Sequence, residues 1–170
     1  MITPAYIRTM AKYNAEMNRR LYGAAARLSD AERRMPRGAF WGSIHGTLTH
    51  ILWGDQQWMS RFDSWPKPTT PIKQSAGMIE DFTVLSAERE KADKDISRWA
   101  NKVDNGWLAE DLTWFSGAAD REVTAPKGLL VAHFFNHQTH HRGQARSMLT
   151  AVGQETGDTD LFLLVPAVVD

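Results

Sequence analysis

The sequence predicts an all-α protein built as a four-helix bundle, and three observations carry that reading. Four long stretches place apolar residues at three- and four-residue steps. Polar connections rich in proline and glycine separate them. The 170 residues contain no internal repeat, low-complexity tract or composition break, so positions 1–170 read as one domain.

The first helix is expected from about Thr3 to Leu28, on the seam Ile7, Met10, Met17, Leu21, Ala24 and Leu28. Asn14 is the polar exception in that seam. Ser29-Asp30 and Pro36-Arg37-Gly38 punctuate the chain after it. Ser43 is a good N-cap for a second helix carrying Ile44, Leu48, Ile51, Leu52, Met59 and Phe62. Its stripe with Gly46 and Gly54 would let a neighbouring helix come close. SWPKPTTP, with three prolines in eight residues, stops it and reads as a linker. A third helix is expected from about Ser75 to Lys102, on Met78, Phe82, Leu85, Ala92, Ile96, Trp99 and Val103, with Arg89 snorkelling from the seam. Asn105-Gly106 ends it. Two β-like runs, Asp111 to Phe115 and Arg121 to Thr124, flank Ser116-Gly117 and suggest a short hairpin before the last helix. Thr124 would then cap a fourth helix from about Ala125 to Val152, with Gly153 closing it. Within that helix Gly143 is read as permitting close helix approach. LFLLVPAVV forms an apolar C-terminal tail; at nine residues, interrupted by Pro166, it cannot span a bilayer.

Composition excludes several function classes. Lys and Arg number 20 and Asp and Glu 20, so no global charge favours nucleic acid or an anionic membrane. Without cysteine there is no disulfide, thiolate ligand or Cys nucleophile. The N-terminus, MITPAYIRTMAK, lacks the apolar core of a signal peptide, and a soluble, cytoplasmic protein is expected. The histidines, however, are clustered. Four of six (His133, His137, His140, His141) fall within nine residues, where an even spread would put fewer than one.

On a helix, His137 and His141 lie one turn apart on one face, and so do His133 and His137. Two imidazoles at that spacing can converge on one ion. Spacing alone leaves both pairs open. A third ligand must come from elsewhere, and His45 and His50 on the second helix point about 140° apart, so one of them faces any given partner. An exposed polar face is the competing reading of the cluster.

The stretch His133 to Gln144, HFFNHQTHHRGQ, resembles the HxxxHRGQ signature of the DinB/YfiT-like superfamily, which is distinct from the DNA polymerase of the same name. KYNAEMNRRL in the first helix and HGTLTHILWGDQQWMSRF in the second agree with it in order and spacing. The resemblance implies a bundle holding a divalent metal on three histidines: His50, His137 and His141. His45, His133 and His140 match no ligand position. Asp55, Trp53, His133, His140 and Arg142 are then candidates to surround the site. Asp55 would orient an imidazole or form a salt bridge, and Trp53 would wall the pocket. Arg142 and Gln144 would serve packing or bind substrate anions.

Three His ligands without a protein fourth leave an open coordination position. Zinc and nickel both suit imidazole. The resemblance implies a small electrophilic substrate and a low-molecular-weight thiol, as in a transferase or isomerase, and makes a homodimer the expected assembly. Two alternatives stand beside it: a non-catalytic, metal-stabilised stress or interaction protein, and a hydrolase using metal-activated hydroxide.

Overall fold

The computed structural model describes residues 2–117 and 119–165. Four long helices are present: α1 (Pro4–Ala26), α3 (Ile44–Phe62), α4 (Phe82–Ala100) and α6 (Lys127–Thr150). Short helices α2 (Asp30–Arg34), α5 (Asn105–Ala109) and α7 (Leu161–Leu164) lie in the connections, with a 3-10 helix at Ile72–Gly77. The expected hairpin is present: β1 (Asp111–Ser116) pairs antiparallel with β2 (Arg121–Pro126), Trp114 opposite Val123. None of the described helices is long and apolar enough to cross a membrane. The tail from Pro166 onward lies outside the described residues.

Side-chain oxygens start the helices where the sequence offers them. Thr3 accepts from the Tyr6 N–H, Ser43 from Gly46 and Asp81 from Val84. The third long helix therefore begins at Phe82, not near Ser75; Ser75 belongs to the 3-10 turn and Met78 to the break after it. At its other end Asn101 terminates α4, and Asp104 caps α5 over Asn105-Gly106. The last helix also starts later than expected. Thr124 does not cap it, because its hydroxyl bonds Thr113 across the hairpin at 2.7 Å, and α6 begins after Pro126. Ser29-Asp30 starts α2 through a capping box with Glu32.

The core divides into two apolar clusters. Leu21, Leu48, Leu52, Leu85 and Leu149 belong to one; Ile7, Met59, Phe62, Trp99 and Phe134 belong to the other. Chain order between the clusters sets the helix directions: α1 and α6 run one way, α3 and α4 the other. Because α3 and α4 are parallel, the chain from 63 to 81 must return the length of the bundle, and it does so along α3. Trp53 Nε1 donates to the Thr70 carbonyl on it at 2.8 Å, and His45 Nε2 lies 2.8 Å from the Ile79 carbonyl.

Between the two clusters lies a buried polar layer contributed by all four long helices. Asp55 accepts from Arg89 Nη1 at 2.5 Å and from Gln138 Nε2 at 2.7 Å. Gln138 accepts in turn from Asn14, and Asn18 donates to Asp93, which pairs with Arg89 at 2.8 Å. Arg89 is thus fully buried and does not snorkel. Burial opposes its charge, but Asp93 and Asp55 raise its pKa. Burial likewise pushes the Asp55 carboxyl up while Arg89 and Gln138 pull it down. A guanidinium at 2.5 Å, always protonated, keeps Asp55 ionised.

Gly143 corrects another expectation. A Cβ built there meets nothing within 4 Å, so no helix approaches it. Glycine in a helix interior costs about 0.5–1 kcal/mol relative to alanine. Gly143→Ala is therefore expected to stabilise the protein by that amount, read as a higher urea midpoint at unchanged slope; a lower midpoint would contradict the open surroundings.

Candidate metal centre

His50 on α3 meets His137 and His141 on α6 at the level of the polar layer. One ligating nitrogen from each lies within 4.8 Å of the others, and the cluster contains no carboxylate. His50 Nε2 and His137 Nε2 are 3.3 Å apart. Two ligands of a tetrahedral zinc ion, with Zn–N near 2.05 Å, sit about 3.3–3.4 Å apart, so this spacing suits a shared cation.

Hydrogen bonds outside the cluster orient the rings. Gln144 Oε1, which only accepts, lies 2.8 Å from His141 Nδ1, so that nitrogen carries the proton and Nε2 keeps its lone pair. The Gln144 amide nitrogen faces His140 Nε2 at 3.3 Å, consistent with that orientation. Ser75 Oγ, buried on the crossover, lies 2.8 Å from His50 Nδ1 and leaves Nε2 for the cluster. Gly54 makes room for the third ring: a Cβ there would lie 2.7 Å from His137 Cε1. The expected close approach at Gly54 is thus real, and what approaches is an imidazole. At Gly46 the neighbour is the Trp41 carbonyl instead.

Aromatic rings form the walls. Trp41 stacks on His50 with centroids 3.9 Å apart, and Trp53 lies at 5.6 Å from the same ring. Beyond His137, His133 is exposed and sits edge-on to Trp58; His140 contacts His141 and Gln144.

Burial chiefly, and the neighbouring imidazoles next, hold His50 and His137 down at about 3. Burial lowers His141 as well, against the opposing bond to Gln144. All three are neutral at pH 7, as ligands must be. In the metal-free protein this carries a stability cost in acid. Between about pH 6.5, where an unfolded histidine titrates, and about pH 3, the unfolded chain binds more protons. Stability of the metal-free protein is therefore expected to fall as pH drops from 6.5 toward 3 and to gain nothing from these residues above 7. Urea midpoints at pH 7.5, 6 and 5 check this; a flat series would contradict it.

The structure brings His50, His137 and His141 together and places Trp53 beside them. It does not bring Asp55, whose two oxygens are taken by Arg89 and Gln138. Arg142 turns away too, its guanidinium over the Tyr13 ring. Ser75, Gln144 and Trp41 were not anticipated as supports of the cluster. Gln144 had a signal, being three residues after His141 on one helix. Ser75 and Trp41 reach His50 through chain reversals that no local spacing marks.

A family model described as the DinB family matches residues 1–166. Comparison with curated proteins gave no match.

Proposed function

This chain belongs to the DinB family, and we propose that His50, His137 and His141 hold a divalent cation, zinc or nickel, at which a low-molecular-weight thiol is activated toward a small electrophilic substrate. The observation that supports this best is the donor set: three neutral, oriented imidazoles with, among the described residues, no carboxylate or fourth side chain joining them. A cation held there supplies Lewis acidity, lowering the pKa of a thiol or water in its remaining position. The chain's own residues do the rest. Gln144 and Ser75 fix the rings, and Trp41 and Trp53 exclude water on the His50 side. With no cysteine in the chain, the sulfur must come from a second molecule.

The test is a panel of electrophiles assayed with and without added thiol. Turnover that requires the thiol and disappears on chelation supports the proposal. Ester or amide hydrolysis without any thiol would replace it with the hydrolase reading. One observation favours a structural role instead: the cluster joins α3 to α6, so a cation there would also clamp the bundle. A large fall in melting temperature on chelation, with no turnover under any condition, would favour that role.

A further inference from the structure

A cavity of about 230 Å³ lies between α1, the C-terminal half of α6 and the segment that follows α6. None of the three clustered histidines lines it. Met17 and Leu21 give it an apolar side, and Arg20, Arg142 and Arg146 bring three guanidiniums to it. Arg20 pairs with Glu16, Nε to Oε1 at 2.6 Å, a carboxylate it shares with Arg19. Among the described residues neither Arg142 nor Arg146 has a carboxylate within ion-pair distance. Arg146 donates only to neutral oxygens, Thr156 Oγ1 at 3.0 Å, Gly157 O at 2.9 Å and Thr159 Oγ1 at 3.4 Å.

Arg142 is the more telling group. It is 5% exposed, its Nη2 donates to Thr139 Oγ1 at 3.2 Å, and its Nη1 has no hydrogen-bond partner among the described residues. A buried cationic donor without an acceptor is costly, and such groups are normally satisfied. The segment after α6 closes the cavity: Tyr13 donates to the Thr159 carbonyl at 2.8 Å and Arg20 to the Asp158 carbonyl at 3.1 Å. Those contacts satisfy donors but bring no negative charge.

We propose that this cavity binds a small oxyanion, a phosphate or a carboxylate, held by Arg142 and Arg146. Both oxyanions match the planar fork of guanidinium donors, and either would supply the negative charge, and the acceptor for Arg142 Nη1, that the described lining lacks. The volume admits an ion of that size together with a few waters. This site is independent of the three-histidine cluster and of the function proposed for it.

Isothermal titration of untagged protein, at fixed ionic strength, with inorganic phosphate in one arm and malonate in the other tests it. Gly143→Leu and Arg142→Gln are titrated alongside. Gly143 lines the cavity, is exposed and has open space around it, so a leucine there narrows the cavity without displacing a neighbour and favours the helix. The wild type is expected to bind at least one anion at one per chain, and both variants at least ten-fold more weakly. Which arm binds distinguishes phosphate from carboxylate. Two results would overturn the proposal: no saturable binding of either anion by the wild type, or a folded Gly143→Leu protein that binds as the wild type does. The second result would place the anion elsewhere, including at the histidines.

Discussion

Gly54→Ala is expected to lower metal affinity at least ten-fold while leaving the protein folded. The new methyl would lie 2.7 Å from His137 Cε1 and 3.2 Å from Nδ1, well inside contact distance, so the ring must swing out. It cannot do so and keep its Nε2 3.3 Å from that of His50. Losing the support of a ligating ring costs about 10–100-fold in affinity, and displacing the ring itself costs no less. The net stability loss is at most about 2 kcal/mol, because overpacking of about 1–3 kcal/mol is partly offset by the roughly 1 kcal/mol that alanine gains over glycine in a helix. Competition with a chromophoric zinc chelator reads the affinity, and circular dichroism reads the fold. Wild-type affinity in the variant would mean that His137 does not ligate through the observed ring position.

Arg89→Ala is expected to be the most destabilising single change, at about 3–5 kcal/mol. It leaves the fully buried carboxylate of Asp55 and the largely buried one of Asp93 without their ion-pair partner. Against a total stability of roughly 5–15 kcal/mol, that loss brings the protein close to unfolding. The effect reaches the histidines, since Gln138 adjoins His137 and its bond to Asp55 ties α6 to α3. Urea denaturation measures the loss. A double variant, Asp55→Asn with Arg89→Met, should recover part of it by removing one stranded charge. A cost under about 1 kcal/mol for Arg89→Ala would show that the polar layer does not hold the four helices together.

The bundle and its centre were legible to different depths. Helix period located all four long helices, and Ser43 and Gly153 marked two of their ends, because amphipathic seams and these caps are local signals, whereas Thr124 serves the hairpin. The start of α4 was misplaced because Met78 continues the apolar period across a chain break, and period alone cannot see that Asp81 is the cap. The capping box Ser29-x-x-Glu32 was present in the sequence and passed over as punctuation. At the centre, spacing left two histidine pairs and two partners open; the HRGQ resemblance selected among them, and the fold brings those three together. Arg89 was misread because a seam arginine snorkels by default, and its buried partners, Asp55 and Asp93, lie one on a different helix and one a turn away. Ser75 and Trp41 depend on a crossover and a turn whose paths are set by tertiary packing alone.

Elemental analysis of untagged protein, wild type beside His141→Ala, tests the three-histidine centre most directly. The expected result is about one equivalent of zinc or nickel per chain in the wild type and a large loss in the variant, since three ligands become two. A wild type without stoichiometric metal, or a His141→Ala protein that retains it fully, would contradict the centre.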